Sequence, residues 1–599
     1  MKTAIISVFN KNLICNLVEY LLQSNYQILT TGGTYKLLKQ QFISNNIMSI
    51  EEYTKSPEML KGRVKTLHPK IHGGILATDT SDDLQDLQKL DIKKIDLVVC
   101  NLYPFKDVVS KEHEYMDAIE NIDIGGVTLI RAAFKNYHHV TILTDPHDYV
   151  NFINNAVQID NRKTYALKAM EHIADYDTNI VNYFNNDITY RKFQNQSILK
   201  YGCNPHQNNS FVCKLEKTPY PFTILNGKPG YINYMDAIQS WCLVNELSNV
   251  IKKTCAASFK HTTPAGVGTS RKISNIYNNI YNIHTETLND VSTAFVRART
   301  ADPLSSFGDF IAISDIVDEE TAMLIKREVS DGIIALDYSD AALKILKEKK
   351  KGNYIILKGN ARIIENLNGN EYKELNGIGL TQTINNKITD ISFFNNVPTK
   401  NKNITDEEIE DMIIANTTLK YTPSNSIAFA CDGQIIGVGA GQQNRVDCVK
   451  LAGNKALKWC LTTHSKTLNI MNMFKPELKR QDRVNAIMQF LQFNKNSDSD
   501  IDNILINKWK NNNISQENDI ELHNYFISSQ DTQEHIHNFN ISMASDAFFP
   551  FSDNIDYAYK FGVKNILQPG GSIADENIIK SCDDYNMYMA MSGVRIFTH

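Results

Sequence analysis

TAIISVFNKNLICNLVEYLLQSNYQILTTGGT, residues 3–34, contains two short apolar runs on either side of a helical pattern. The runs are Thr3–Val8 and Ile28–Thr30, and the helical spacing between them is carried by Leu17, Val18, Leu21 and Leu22. A strand, a helix and a strand in this order are typical of a parallel sheet, and later apolar runs at 95–100 and 140–143 continue the alternation. We therefore predict an open α/β domain whose ligand-binding loops follow the carboxyl ends of its strands.

The end of this domain is predicted from one long helical pattern. Apolar side chains and one aspartate recur three and four residues apart at Leu167, Met170, Ala174, Asp177, Val181 and Phe184. They predict a closing helix with one apolar face that is partly exposed at Asp177. The polar, Asn-rich segment 184–197 is then the linker, which gives domains at 1–192 and 199–599. We interpret the polar stretch 492–540 as a surface insertion, with a partner-binding segment as the alternative.

Composition excludes several classes of protein. A chain of 599 residues is too long for one core, and 42% hydrophobic with 22% charged residues is ordinary for a globular protein. The net charge of −5 argues against a nucleic-acid binder that relies on a general basic field. We find no N-terminal signal, no apolar run of the ~20 residues that a membrane span needs, and no CxxC pair among the ten cysteines. These features favour a cytosolic protein with reduced thiols and no membrane partner.

Four segments of the first domain could carry chemistry. Glycines and hydroxyls at 30–34 follow a predicted strand and suit a phosphate, although a plain strand-to-helix turn looks the same. Segment 62–69 contains two cations and a hydroxyl shortly before a proline. This composition suits a bound anion, although an exposed basic loop would look similar. Segment 101–105 follows a strand, and 122–127 places Asp123 beside two glycines, with Lys135 on the next helix.

Together, GRVKTLHP, CNLYPF and IDIGGVTLIRAA resemble the cyclohydrolase half of the bifunctional purine-synthesis enzymes. The resemblance implies a fold like that of methylglyoxal synthase. It also implies that Asp123 assists proton removal, that Lys65 and Tyr103 stabilise charge on the former formyl oxygen, and that Lys135 transfers a proton. The nucleotide site that it implies comprises Lys11, Thr31, Gly32, Gly33, Thr34, Arg63, Lys65, Thr66, Asn101, Asp123, Gly125 and Gly126. The family usually has S-D-K-T-G where this chain has residues 9–13, so only Lys11 of that motif matches.

In the second domain, Lys260 and His261 precede a Pro-Ala-Gly turn. Formyl transfer to a weakly nucleophilic amine requires a base, and histidine has the right pKa range. The oxyanion of the tetrahedral intermediate is stabilised by a nearby ammonium group, which Lys260 can supply. A Lys-His pair without this context is usually a solvated loop.

Seven further segments supply this context, because they resemble the formyltransferase half of the same family across 199–599. They are YGCNPHQ, LNGKPGYIN, SSFGDF, EVSDGII, KYTPSNS, GVGAGQQNR and SDAFFPF. The resemblance implies two cytidine-deaminase-like α/β subdomains without zinc, since the chain lacks the P-C-x-x-C motif. It also implies a homodimer and a cosubstrate, 10-formyltetrahydrofolate. It assigns the aminoimidazole carboxamide ribonucleotide (AICAR) to Lys200, Tyr201, His261, Gly308, Asp331, Asn425 and Arg445, with Lys260, His261 and Asn425 catalytic. It assigns the folate to Val446, Phe548, Asn554, Gly571 and Arg595.

The resemblance implies an enzyme that formylates AICAR and closes the product to inosine monophosphate, with no catalytic metal. Two alternatives stay open. The first domain could be a degenerate regulatory module, as the altered residues 9–13 suggest, although Lys65, Asp123 and Lys135 argue against it. A nucleotide- or folate-binding scaffold without catalysis is the other, and Lys260, His261 and Asn425 argue against that.

Overall fold

The computed structural model describes residues 1–154, 159–185, 190–215, 219–273, 283, 288–361, 369–493, 500–515 and 521–599. The chain divides into two compact units, Met1–Lys192 and Phe193–His599.

The first unit is built on a parallel five-stranded sheet. Its strands are β1 (Lys2–Val8), β2 (Tyr26–Thr30), β3 (Ile47–Ser49), β4 (Leu97–Asn101) and β5 (Thr141–Leu143). They lie in the order β3-β2-β1-β4-β5, and every pairing is parallel. β1, β2 and β4 are almost wholly buried, because a hydrophobic cluster covers each face of the sheet. The predicted parallel α/β domain is confirmed.

Ten helices connect and cover these strands in the described part of the unit: α1 (Ile14–Gln23), α2 (Gly32–Gln41), α3 (Ile50–Thr54), α4 (Pro69–Leu76), α5 (Ser81–Lys89), α6 (Phe105–Val109), α7 (Tyr115–Glu120), α8 (Gly125–Lys135), α9 (Asp148–Asn154) and α10 (Ile159–Phe184).

The closing helix α10 exists, but the prediction of its buried face was wrong. Leu167 is 50% exposed and Phe184 is 42% exposed. The buried face lies one position away and consists of Ala166, Ala169, Ile173 and Tyr176. Small alanines let the helix approach the sheet closely, so the larger side chains beside them lie at the margin of the contact.

In its described residues, the second unit contains one eleven-stranded sheet and two separate hairpins, 193–215 and 370–383. The strands are β6 (Phe193–Ile198), β7 (Phe211–Leu215), β8 (Phe222–Asn226), β9 (Cys255–Lys260), β10 (Thr263–Thr269), β11 (Asp309–Val317), β12 (Ser330–Tyr338), β13 (Ile355–Gly359), β14 (Asn370–Leu375), β15 (Ile378–Thr383), β16 (Ile427–Cys431), β17 (Gln434–Gly439), β18 (Ile541–Ser545), β19 (Val563–Gln568) and β20 (Tyr588–Met591). In the large sheet their order is β20-β19-β18-β16-β17-β10-β9-β11-β12-β13-β8.

The helices of this unit cover both faces of the large sheet or lie in the segment between β17 and β18. The described ones are α11 (Tyr231–Ile251), α12 (Asp290–Thr300), α13 (Glu319–Arg327), α14 (Asp340–Lys347), α15 (Asp406–Lys420), α16 (Arg445–Leu461), α17 (Ser465–Met471), α18 (Arg480–Phe490), α19 (Asp500–Asn513), α20 (Ser529–Ile536), α21 (Asp553–Lys560) and α22 (Asp575–Asp584).

The large sheet consists of two topological repeats. In each, a long helix precedes an antiparallel hairpin, and three mutually parallel strands and their helices then extend the sheet outward. The order β10-β9-β11-β12-β13 in the first repeat corresponds to β17-β16-β18-β19-β20 in the second, with matching strand directions. The repeats join where β10 pairs with β17, at Gly268 and Gln434.

Corresponding glycines bring a helix backbone onto the hairpin of each repeat. A Cβ atom on Gly266 of β10 would lie 2.2 Å from the carbonyl oxygen of Ala298 in α12. A Cβ atom on Gly437 of β17 would lie 2.2 Å from the carbonyl oxygen of Ala452 in α16. Both strands therefore require glycine at the point of closest approach.

Gly266→Ala is expected to destabilise the second unit by about 1–3 kcal/mol, because the added methyl group meets a helix backbone that cannot turn aside. Thermal or urea unfolding measures the change. Gly379→Ala is the matched control, since nothing lies within 4 Å of the added carbon at that position. Equal stability of the two variants would contradict the close approach.

The polar stretch 492–540 is only partly described, because 494–499 and 516–520 lie outside the described residues. Within it, Ile506 and Trp509 of α19 and Phe526 are almost fully buried. They belong to a small hydrophobic cluster that also includes side chains of α17 and α18. The described residues of this segment therefore pack with α17 and α18 in a small hydrophobic core.

Candidate active sites

In the first unit, the predicted nucleotide residues lie around the carboxyl ends of β1, β2 and β4, as expected for neighbouring parallel strands. Thr31 is extended and precedes the first turn of α2, which begins at Gly32. The unpaired N–H groups of that first turn can bind an anion.

Asn101 fixes the loop that carries Lys11. Its Oδ1 accepts hydrogen bonds from the backbone N–H groups of Phe9 (2.7 Å) and Asn10 (2.8 Å), and its Nδ2 donates to the Asn10 carbonyl (3.0 Å). The side chain that we predicted to bind nucleotide is thus engaged with the loop after β1. It positions Lys11, whose side chain is exposed.

Lys65 approaches the start of α2 from the segment 62–66. Its Nζ lies 3.7 Å from the place that a Cβ on Gly32 would occupy and 3.2 Å from Glu58 Oε1. Buried Thr66 follows, and a Cβ on Gly125 would lie 2.6 Å from its hydroxyl. The segment therefore lies beside the N-terminal ends of both α2 and α8.

Asp123 is the partly buried acid of this site. Its Oδ1 accepts a hydrogen bond from Gly126 N (2.7 Å), and its own N–H donates to the Tyr176 hydroxyl (2.7 Å). Burial raises the pKa of Asp123, and the N–H groups of Gly126 and Tyr103 oppose this shift. Tyr176 reaches the site from α10, and no local sequence motif signalled it.

Three predicted residues lie at the margin of this cluster. Tyr103 is 39% exposed and contacts the Phe9 ring edge-on at 5.7 Å between centroids. Arg63 is exposed and pairs with Glu120. Lys135 ends α8, about 15 Å along the helix axis from Gly125 at 1.5 Å per residue. The structure does not bring Lys135 to Asp123, so its assignment rests on the resemblance.

In the second unit, Lys260 and His261 lie at the β9–β10 hairpin. Lys260 Nζ donates to the Phe307 carbonyl (2.6 Å), which brings the following residue, Gly308, to the same edge of the sheet. The His261 side chain is exposed, and both His261 and Thr262 have left-handed backbones, with φ of 54° and 59°. The hairpin thus presents an ammonium and an imidazole group to solvent.

Two buried carboxyl groups support this hairpin, and no local motif predicts either of them. Asp236 of α11 accepts a hydrogen bond from Thr262 N (2.6 Å). Asp309 accepts one from the hydroxyl of Ser258 in β9 (2.6 Å). Burial raises the pKa of Asp309 to about 6.

The other residues predicted for AICAR in the first repeat are exposed or partly exposed. Asp331 forms an ion pair with Lys350 (2.7 Å). Lys200 and Tyr201 follow β6, and the Lys200 ammonium lies 5.8 Å from the Tyr201 ring centroid.

The second repeat contains a buried network around Arg445. Arg445 donates to Asn425 Oδ1 (2.6 Å) and to the Ser545 hydroxyl (3.0 Å), and it pairs with Asp546. Asp546 is fully buried and also accepts hydrogen bonds from the Ser424 and Ser426 hydroxyl groups. The two predicted residues Asn425 and Arg445 are therefore in contact, and Asp546 was missed.

The predicted catalytic residues of the two repeats lie toward the same edge of the sheet but are not neighbours. β10 and β17 run antiparallel, so Thr263 at the start of β10 and Gly439 at the end of β17 lie toward one edge. Lys260 pairs with Thr263, and Ile427 pairs with Gly439. Three strand spacings, about 14 Å, separate β9 from β16. Within one chain, Lys260 and Asn425 therefore lie apart.

The predicted folate residues lie in the second repeat and differ in exposure. Val446 is partly exposed in the first turn of α16, and Phe548 is 40% exposed. Gly571 has a φ of 91° in the loop after β19, and exposed Arg595 lies 4.7 Å from the Phe597 ring centroid. Asn554 is buried, and its Nδ2 donates to the Phe551 carbonyl (3.0 Å).

A cavity of about 960 Å³ lies elsewhere in the second unit, between the end of α12 and the helices α16 to α18. Its lining includes Arg299, Lys455 and Arg480 but neither Lys260, His261 nor Asn425. Among the described residues, no group of three or more His, Cys, Asp or Glu side chains is placed to hold a metal ion. None of the described helices is both long and apolar enough to cross a membrane.

Two family models and several known proteins are similar to this chain. The model of the AICARFT/IMPCHase bienzyme family matches residues 132–455, and the MGS-like domain model matches 13–128. Proteins named "Bifunctional purine biosynthesis protein PurH" from Clostridium botulinum are 33% identical (strain Hall) and 32% identical (strain Kyoto), with 100% of both chains covered. A solved chain titled "Crystal structure of ForH" is 31% identical over 31% of this chain and 97% of its own, with a TM-score of 0.29.

Proposed function

Because this chain belongs to the AICARFT/IMPCHase bienzyme family and catalyses the last two steps of purine biosynthesis, we propose which unit and which residues perform each step. The second unit transfers a formyl group to the amine of AICAR, and the first unit closes the product to inosine monophosphate. The match of the MGS-like model to 13–128 supports the assignment of the first unit. The exposed Lys260-His261 turn supports the assignment of the second.

Formyl transfer follows from the chemistry of the hairpin. The AICAR amine attacks the formyl carbon of the cosubstrate, 10-formyltetrahydrofolate, and His261 removes the amine proton. Lys260 stabilises the oxyanion of the tetrahedral intermediate, which collapses as tetrahydrofolate leaves with a proton. Exposure of the imidazole and the fixed Lys260 side chain are the observations that carry this proposal.

Ring closure follows from the cluster around Asp123. The carboxamide nitrogen attacks the formyl carbon and loses one proton. The formamide nitrogen loses its proton as its C=N bond forms, the C–O bond breaks, and the formyl oxygen leaves with the two protons as water. Asp123 accepts the nitrogen proton, for which its raised pKa is suited. Lys65, beside the start of α2, and Tyr103 stabilise the charge on the departing oxygen.

We infer further that the two repeats are the cytidine-deaminase-like subdomains and that a cytosolic homodimer completes the formyltransferase site. The matching order of helices and strands in the two repeats supports the first point. The separation of about 14 Å between β9 and β16 supports the second, because a partner chain can place its Asn425 opposite Lys260.

Mixing two inactive variants tests the shared site. Lys260→Ala and Asn425→Ala are each expected to lose formyl transfer. After exchange of subunits, about a quarter of the parent activity should return, because half of the dimers are mixed and each mixed dimer holds one intact site. Each variant remixed with itself is the control. Mixed dimers detected by mass but without formyl transfer would place both residues in one chain.

A further inference from the structure

The catalytic hairpin of the first repeat is held by a buried aspartate from another element. Asp236 lies in the second turn of α11 and is 5% exposed. Its Oδ1 accepts a hydrogen bond from Thr262 N (2.6 Å), and the His261 N–H contributes a second backbone hydrogen bond. Burial raises the pKa of Asp236, and these backbone hydrogen bonds oppose the shift. The carboxyl group thus binds both residues of the turn.

This turn has a conformation that its own residues disfavour. His261 and Thr262 are left-handed, at φ of 54° and 59°. Residues with a Cβ avoid this region, and a β-branched residue such as Thr262 avoids it most strongly. Contacts from outside the hairpin are therefore required to keep the turn in place, and Asp236 provides them.

The second repeat contains the same arrangement without a catalytic group. Asp411 of α15 is buried and accepts hydrogen bonds from Asp432 N (2.9 Å) and Gly433 N (2.7 Å) in the β16–β17 hairpin. Asp432 and Gly433 are also left-handed, at φ of 53° and 79°. Here the second residue is glycine, which adopts this conformation freely. An aspartate on the preceding helix is thus a feature of both repeats, and in the first it holds the proposed base.

We propose that Asp236 is a positioning residue of formyl transfer, which presents the His261 imidazole by fixing the left-handed His261–Thr262 turn. The proposal rests on the proposed role of His261 as the base. Asp236 contacts the turn through the backbone N–H groups of His261 and Thr262, so its effect on formyl transfer is exerted through His261.

Asp236→Ala removes both acceptors of the turn. We expect kcat for formyl transfer to fall on the order of 10²-fold, with a smaller change in the KM for AICAR, because small displacements of a catalytic group have effects of this size. Asp236→Asn keeps one acceptor oxygen, so its kcat should lie between those of the parent and the alanine variant. Thermal unfolding of each variant reports whether the second unit is folded, and ring closure, measured with formylated nucleotide, reports the first unit.

The matched control is Asp411→Ala, which removes the equivalent support in the second repeat. It should lower thermal stability but leave kcat of the folded protein within about twofold of the parent. Adding Thr262→Gly to Asp236→Ala should restore part of the lost kcat, because glycine adopts the left-handed turn without support. Thr262→Gly alone is the reference for this comparison.

Parent-like kcat in Asp236→Ala would overturn the proposal, as would an equal loss of kcat in Asp411→Ala. If Asp236→Ala does not fold, Asp236→Asn decides by the same criterion. Failure of the proposed function itself is recognised from a separate variant, His261→Ala. If His261→Ala keeps formyl transfer, the base is misassigned, whereas loss in His261→Ala with full activity in both Asp236 variants removes only Asp236.

Discussion

His261→Ala is expected to lower kcat for formyl transfer by about 10²–10⁴-fold, the usual contribution of a general base. The imidazole is exposed at the edge of the sheet and the Lys260 ammonium beside it is fixed by the Phe307 carbonyl, so the substitution removes the base and leaves its surroundings in place. Ring closure of supplied formylated nucleotide should be unchanged, because its residues lie in the first unit. Separate measurement of tetrahydrofolate and inosine monophosphate distinguishes the two steps.

His523→Ala is the matched control, since it removes another exposed histidine of the same unit. It should retain both activities. If His261→Ala lost both activities while it stayed folded, the assignment of the steps to separate units would be wrong.

Asp123→Asn is expected to lower ring closure by about 10²–10⁴-fold while formyl transfer continues, so that formylated AICAR accumulates. The amide keeps an oxygen for the Gly126 N–H but cannot accept the proton. Since burial raises the pKa of Asp123, ring closure in the parent should decline on the acid side at a higher pH than an ordinary carboxyl group would give. A pH profile of kcat/KM for formylated AICAR measures both effects.

Asp107→Asn, an exposed aspartate of α6, serves as the control and should keep ring closure. If Asp123→Asn bound inosine monophosphate normally and also kept full ring closure, Asp123 would not be the base.

The parallel sheet of the first unit could be predicted because buried parallel strands are short apolar runs that the sequence displays directly. The buried face of α10 could not, since it depends on how closely Ala166 and Ala169 approach the sheet. Motifs located Lys260, His261, Asn425 and Arg445 because these residues lie in long segments of the family pattern.

The supporting carboxyl groups escaped prediction for a different reason. Asp236 lies 26 residues from Thr262, and Asp546 lies 101 residues from Arg445. Their roles depend on burial and on long-range contacts, which no local spacing records. Lys135 is the opposite case. Its family motif is intact, but the structure places it at the C-terminal end of α8, away from Asp123.

The eleven-stranded sheet has a seam. Between β10 and β17 the register comprises one position, Gly268 and Gln434, whereas β9 and β11 are paired at four positions from Phe310 to Ile313. The buried Arg297 side chain bridges the seam by donating to Gln434 Oε1 (3.1 Å) and to Asp432 Oδ2 (3.1 Å). Both hydrophobic clusters of this unit contain side chains of the two repeats, so core packing and the Arg297 contacts, rather than strand pairing, hold the two half-sheets together.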